Sequence, residues 1–390
     1  MVTMGLVGSG ARGTVFAQYI EQHNECSLAG ICDKDMERSR RFLNFIKTSP
    51  PIYNNHKDLV HNPNSDAVII ATTDYSHSEI AINSLKANKH VLCDKPPAIN
   101  INELNQVIGA VKENPHLIFM TDLVLRYNPF YETLILWSSK VGTPRLATVY
   151  DAVVGDYFFR RWHRLKANSG GPVLHEGIHS LDIMHKIIQR SAKRVTAASS
   201  LQYYRNKLKA GSQCRDCAIS SGCAEYFDYS KDPLKDLYLT SFQQEGFPRD
   251  LCVFSSNKDT PDNVIATVEF EGGALLTYTL CLYAPIWTRE IKLVGDEGMI
   301  IADSNSSKIT FYSRTGIIEE IVVEIPARKY GGGDENLFNL FVESINKGET
   351  QIEAKSEFES TATALAIELS LVQKKEVFLE YDEQKFYQFQ

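Results

Sequence analysis

The chain has 390 residues, 43% hydrophobic and 23% charged, with 19 Phe and 18 Tyr, which excludes a disordered, collagen-like or low-complexity protein and predicts two domains with buried cores. Lys and Arg number 41 against 48 Asp and Glu, a net charge of −7, so the basic excess that a nucleic-acid partner requires is missing. No apolar run reaches the roughly 18 residues of a membrane span, Met1 to Gly8 is too short and uncharged for a signal peptide, and a soluble, cytoplasmic protein is expected.

The first third alternates strand and helix signals. Met4-Gly-Leu-Val-Gly8 is a short apolar run ended by glycine, and Val15, Phe16, Tyr19 and Ile20 then repeat at helical spacing. Leu28-Ala-Gly-Ile-Cys32 reads as a second strand, followed by a charged helical stretch from Lys34 to Lys47. Ala67-Val-Ile-Ile-Ala71, His90-Val-Leu-Cys93 and Leu117-Ile-Phe-Met120 are further bounded strands, with a helix expected from Glu79 to Lys86. This rhythm over residues 1–122 predicts a parallel, doubly wound sheet covered on both faces.

From residue 123 to 390 the pattern changes. Val264, Ala266, Val268 and Phe270 share one face, as do Leu276, Tyr278, Leu280 and Leu282, around the hairpin signal Glu271-Gly272-Gly273. Strands at Ile291–Val294, Met299–Ala302, Ile309–Tyr312 and Ile317–Ile325 make this an α+β domain with a largely antiparallel open sheet. Helical spacing returns at Leu337, Leu340, Phe341 and Ile345, and again at Phe358, Ala362, Leu365, Leu369 and Val372. The sheet's open face predicts burial against a second copy, as a homodimer or homotetramer.

Gly8-Ser9-Gly10-Ala11-Arg12-Gly13 matches G-x-G-x-x-G between a strand and a helix, and Asp33 ends the next strand 20 residues past Gly13. The glycines give a tight turn, close approach to a pyrophosphate and close helix packing, while the carboxylate accepts from ribose hydroxyls. A carboxylate there favours NAD, and Lys34 or Arg12 nearby leaves NADP open.

Two segments, Ala71-Thr72-Thr73-Asp74-Tyr75-Ser76-His77 and Ala87 to Cys93-Asp94-Lys95-Pro96, carry a more specific signal. With Leu125-Arg126-Tyr127-Asn128-Pro129, Ser169-Gly170-Gly171, Gly177-Ile178-His179-Ser180-Leu181-Asp182 and Gly331-Gly332-Gly333-Asp334, the chain resembles the Gfo/Idh/MocA oxidoreductases, the glucose-fructose oxidoreductase and inositol dehydrogenase group. The resemblance implies a Rossmann domain over 1–122, and a substrate and assembly domain over 123–390. It implies cofactor contacts at Thr72, Thr73, His77 and Lys95, with Lys95 and His179 beside the nicotinamide. Oxidising a secondary alcohol needs an acceptor for the hydroxyl proton, which a neutral imidazole supplies, and a cation to hold the developing alkoxide, which a lysine supplies. The substrate class implied is a sugar, sugar derivative or cyclitol. The rivals are a glycosidase that recycles its NAD by oxidation, elimination and reduction, and a non-catalytic dinucleotide-binding regulator. Many family members carry an aspartate four residues before the histidine, where this chain has His175. His175 is therefore expected at the substrate, without a fixed charge to pair with Lys95 or orient His179.

His175-Glu176-Gly177-Ile178-His179 also matches the zinc-peptidase pattern H-E-x-x-H, but its central glycine disfavours a helix and the nucleotide motif would be left unexplained. Tyr157 to Lys166 mixes aromatic and basic residues; the resemblance puts this stretch before the Ser-Gly-Gly turn near the nicotinamide and implies Trp162 and either Arg126 or Arg160 as substrate contacts, with a half-exposed strand edge as the alternative. Eight cysteines are too dilute for a disulfide scaffold. Cys214, Cys217, Cys223 and Cys252 have spacing suited to a structural zinc site anchoring the polar stretch 207–236, with an iron-sulfur cluster, a redox pair or buried thiols as alternatives. Cys26, Cys32, Cys93 and Cys281 read as core residues.

Overall fold

The computed structural model describes residues 1–207, 210–239, 247–349 and 354–390; of the polar stretch 207–236, residues 208 and 209 lie outside the described residues. The first sheet is fully parallel, with strands β1 (Val2–Val7), β2 (Cys26–Cys32), β3 (Ile52–Tyr53), β4 (Ala67–Ile70), β5 (His90–Cys93) and β6 (Phe119–Thr121) in spatial order β3-β2-β1-β4-β5-β6. Leu6, Ile69, Leu92 and Met120 stand in register across four strands and are fully buried. Every residue of β4 is buried, as expected of a strand covered on both faces. The strand order reverses between β1 and β4, so their carboxyl ends open a crevice there. The helix expected over 34–47 is shorter, Met36–Phe42 with one further turn, because Asp35 caps its start by accepting from the Arg38 N–H.

The second sheet has ten strands: β7 (Pro144–Val154), β8 (Ala192–Ser200), β9 (Asn263–Phe270), β10 (Leu275–Cys281), β11 (Tyr283–Gly295), β12 (Gly298–Asp303), β13 (Lys308–Ser313), β14 (Ile318–Val322), β15 (Val377–Asp382) and β16 (Phe386–Phe389). Their order is β14-β13-β12-β11-β7-β10-β9-β8-β15-β16, antiparallel throughout except for the β7–β10 pair. Side chains alternate: Val264, Ala266, Val268 and Phe270 are buried, whereas Ile265 is 56% exposed, Leu275 49% and Leu146 48%. The buried face packs on the helices Ile178–Ile188 and Ala354–Gln373. On the second helix Val372, grouped by spacing with the buried positions, is instead 66% exposed near the helix end. Between β8 and β9 the described residues form short turns and one isolated bridge, Gln213 to Leu251.

Motifs far apart in sequence interlock. Arg126 forks onto Asp182 at 2.6 and 2.5 Å in the interior, and Asn128 caps the helix Pro129–Ser138 while donating to the Tyr330 carbonyl at 2.7 Å. Arg12 binds both Asp122, just beyond β6, and Asp334, at the start of the helix Gly333–Lys347. Among the described residues no helix is long and apolar enough to cross a membrane.

Candidate active site

The glycine loop is shaped by what its residues lack. Gly8 has φ +106°, and a Cβ there would lie 2.2 Å from the Ala71 carbonyl oxygen; a Cβ on Gly13 would lie 1.9 Å from the Gly8 oxygen. Both positions exclude any side chain. The helix Ala11–Gln22 has no side chain capping it at Gly10, so its first N–H groups point into the crevice. One of them, on Ala11, donates to the Tyr238 hydroxyl at 2.9 Å. Asp33 braces the loop: its Oδ2 accepts from the Ser9 N–H and hydroxyl, both at 2.9 Å, and its Oδ1 from the Asp35 N–H.

This arrangement fits a dinucleotide: an uncapped helix start for the pyrophosphate and a carboxylate beyond the second strand for the ribose. Arg12 does not face that position, since its guanidinium is held by Asp122 and Asp334. The cation beside Asp33 is Arg38, 4.0 Å away, while Lys34 reaches the Tyr75 hydroxyl. Thr72 pairs with Ser76, and buried His77 bonds the carbonyls of Pro96 (2.8 Å) and Thr72 (3.2 Å). His77 thus ties the turn after β4 to the Lys95-Pro96 segment.

Across the crevice, Ser169-Gly170-Gly171 breaks the chain before a π-helical turn, Val173–Gly177, which runs straight into the helix Ile178–Ile188. Buried Glu368 accepts from the Val173 N–H at 2.8 Å and fixes the start of this turn. Gly177 is required there, because a Cβ would lie 2.6 Å from the Tyr278 hydroxyl. Single π turns cluster at functional sites, and this one carries His175 and Glu176. Lys95 donates to the His175 carbonyl at 2.5 Å, bringing the end of β5 onto the turn.

The His175 ring has a partner from the first sheet: its Nδ1 lies 2.6 Å from Oδ2 of buried Asp74. Its edge meets His163, 4.5 Å between centroids, which in turn stacks on Trp162 at 3.8 Å. Glu176 accepts from the Tyr157 hydroxyl. His179 follows one turn later, 7% exposed, with its Nδ1 unpartnered among the described residues. Burial first and the Lys95 cation second hold both imidazoles below the ordinary histidine range, His175 at about 3 and His179 well below 6.5. Burial has the opposite effect on Asp74, lifting its carboxyl well above the usual range, and it also lifts the Tyr157 hydroxyl, aided by Glu176.

Lys95, His175, His179 and Trp162 are therefore brought together, but two arginines grouped with them by sequence are not. Arg126 is engaged by Asp182 and Ser356 in the interior. Arg160 bonds Asp156, the Leu251 and Glu225 carbonyls and the Cys214 sulfur. Its neighbour Arg161 makes no side-chain hydrogen bond or ion pair among the described residues. Asp74, Tyr157, His163 and Glu176 were given no role by sequence reasoning, although each lies in a segment that stood out: Asp74 just beyond a central strand of a parallel sheet, Tyr157 and His163 in the aromatic and basic stretch, and Glu176 in the H-E-x-x-H match.

Cys214, Cys217, Cys223 and Cys252 line one small cavity with Val253 and Phe254. Arg160 and the Gly211 N–H donate to the Cys214 and Cys217 sulfurs, each at 3.3 Å. Among the described residues no three metal-ligating side chains gather closely enough to hold an ion. The structural zinc expected from spacing is not supported: the thiols surround a cavity without meeting at one point. Cys32 and Cys93 are buried as expected, whereas Cys26 and Cys281 are half-buried.

Two family models match. Residues 2–122 match the "Oxidoreductase family, NAD-binding Rossmann fold" of the GFO_IDH_MocA group, and residues 135–301 match the GFO/IDH/MocA C-terminal domain. The chain is 25% identical to the protein YteT of Bacillus subtilis over 299 residues, 70% of this chain and 69% of that protein. It is 26% identical to the myo-inositol 2-dehydrogenase of Thermotoga maritima over 212 residues, 53% of this chain and 61% of that one. The crystal structure of an oxidoreductase domain protein from Kribbella flavida shares the fold at TM-score 0.74 and 18% identity, covering 97% of this chain and 98% of that one.

Proposed function

The chain belongs to the Gfo/Idh/MocA oxidoreductases, an NAD-binding family, and on that premise we propose that it moves hydride between a nicotinamide dinucleotide and a secondary alcohol of a sugar, sugar derivative or cyclitol. Residues 1–122 hold the cofactor and the remainder binds substrate. The observation that carries this reading is the meeting of Lys95 with the His175–His179 turn at the carboxyl ends of the first sheet.

Gly8, Gly10 and Gly13 let the pyrophosphate approach the start of the helix Ala11–Gln22, and Asp33 receives the ribose hydroxyls. The Asp33 carboxylate favours NAD, and Arg38 beside it leaves NADP open. When bound, the dinucleotide supplies a hydride acceptor at its nicotinamide. The chain's own groups handle the oxygen: Lys95 stabilises its developing negative charge and a neutral imidazole takes its proton. Trp162 offers an apolar face to a sugar ring. The open outer face of the second sheet, with Leu146, Ile265 and Leu275 exposed, supports assembly with a second copy.

The test is a screen of sugars and cyclitols for reduction of NAD or NADP by the purified protein. Turnover with at least one of them, removed in Lys95→Ala while dinucleotide binding persists, supports the reading. Full activity in the Lys95→Ala/His179→Ala double variant would falsify it.

A further inference from the structure

We propose that His175, held in one orientation by Asp74, is the catalytic proton acceptor, and that Asp74 is its positioning residue. The inference rests on the oxidoreductase reading above and assigns the proton step within it.

The two histidines of the turn differ in how they are held. His179 makes no hydrogen bond among the described residues, so nothing fixes its tautomer. His175 is fixed by Asp74 at 2.6 Å, and its Nε2 makes no hydrogen bond among the described residues. The nearest carboxylate to that nitrogen, Glu176, is 3.7 Å away and already accepts from Tyr157. A carboxylate accepting from Nδ1–H leaves the lone pair on Nε2, the tautomer a base needs. The pair also spans the crevice, Asp74 coming from the turn after β4 and His175 from the π turn.

The balance of the step is simple. The carbinol hydrogen leaves with its bonding electron pair as hydride for the nicotinamide, the C=O bond forms from the O–H pair, and the hydroxyl proton passes to Nε2. Before the step the buried pair carries one negative charge, and afterwards none. Burial disfavours both the Asp74 carboxylate and the protonated His175 ring, so the charge balance of the pair, and not either group alone, governs uptake of that proton. The other groups facing His175 are His77 beside Asp74, Asp94 and Lys95 after β5, Glu176 on the same turn, His163 against the ring and His179 one turn on. Of these, Lys95 and His77 oppose protonation, while Glu176 and Asp94 favour it.

Asp74→Asn tests the pairing. The amide can donate to Nδ1 and turn the ring to its Nε2–H tautomer, which cannot accept. The expected result is a fall in kcat for alcohol oxidation of at least ~100-fold, with KM changed less than about 3-fold and the acid limb of the pH profile moved to lower pH. Nitrogen NMR of His175 reads the tautomer independently of turnover: protonated Nδ1 in the wild type, protonated Nε2 in Asp74→Asn. Unchanged kcat, pH profile and tautomer overturn the proposal. If Asp74→Asn does not fold, His175→Gln is decisive: retained turnover and acid limb overturn the proposal, and their loss supports it. A wild type that reduces no cofactor sinks the oxidoreductase reading alone, whereas a wild-type His175 protonated at Nε2 sinks this inference alone.

Discussion

The glycine loop at residues 8–13 and the π turn at residues 173–177, which leads into the helix bearing His179, border one crevice and are built in opposite ways. The loop works by omission: backbone approaches backbone because Gly8 and Gly13 carry no Cβ. The turn works by assembly, gathering Asp74, Lys95, Tyr157 and His163 around His175 and Glu176 from separate stretches of chain. The loop should therefore fail when atoms are added, and the turn when a partner is taken away.

The largest effect is expected on the turn. Lys95→Ala should lower kcat by ~1000-fold, about 4 kcal/mol of transition-state stabilisation, with dinucleotide affinity retained; steady-state kinetics beside a binding titration separates the two. On the loop, Gly13→Ala should cost on the order of 3 kcal/mol of stability and weaken dinucleotide binding, because the colliding atom is the Gly8 carbonyl and not a side chain that can move. A urea midpoint equal to wild type would show that the loop yields and would break the contrast.

A third prediction concerns Glu357, buried behind the end of β6. Burial lifts the Glu357 carboxyl to about 7, where it accepts from the Thr121 N–H at 2.9 Å and faces Arg126 at 4.0 Å. Between the unfolded carboxyl value of about 4.3 and 7 the folded chain keeps a proton that the unfolded chain has released. This contribution to stability is complete at the acid end, falls as pH rises through that window and is flat above it, a span on the order of 3 kcal/mol. Glu357→Gln should remove this slope from urea midpoints taken across the window; an unchanged slope would place the titration elsewhere. The smallest effect is at the helix start. Tyr238→Phe frees the Ala11 N–H, and dinucleotide should bind about 2- to 10-fold tighter; weaker binding would mean that the hydroxyl helps to hold the cofactor.

The same contrast explains what could be read without coordinates. The parallel sheet and the loop were legible because their signals are local: apolar runs, glycine spacing and a carboxylate at the end of the next strand. Lys95, His175 and His179 were also placed from short motifs. Asp74 was not assigned a role, because its partner lies 101 residues away. The Tyr157–Glu176 contact carries no spacing signal either. Arg126 and Arg160 were read as substrate contacts because a lone arginine near an aromatic stretch does not reveal whether an acid such as Asp182 or Asp156 already holds it. Cysteine spacing showed which thiols would share a cavity but not whether they would converge.

The central claim, that these two structures form one hydride-transfer site, is tested most directly with a substrate deuterated at its carbinol carbon. Incubated with the protein and oxidised dinucleotide, the account predicts that deuterium appears on the nicotinamide ring in the wild type and not in Lys95→Ala. Deuterium released to water, or retained on substrate while product forms, would contradict it.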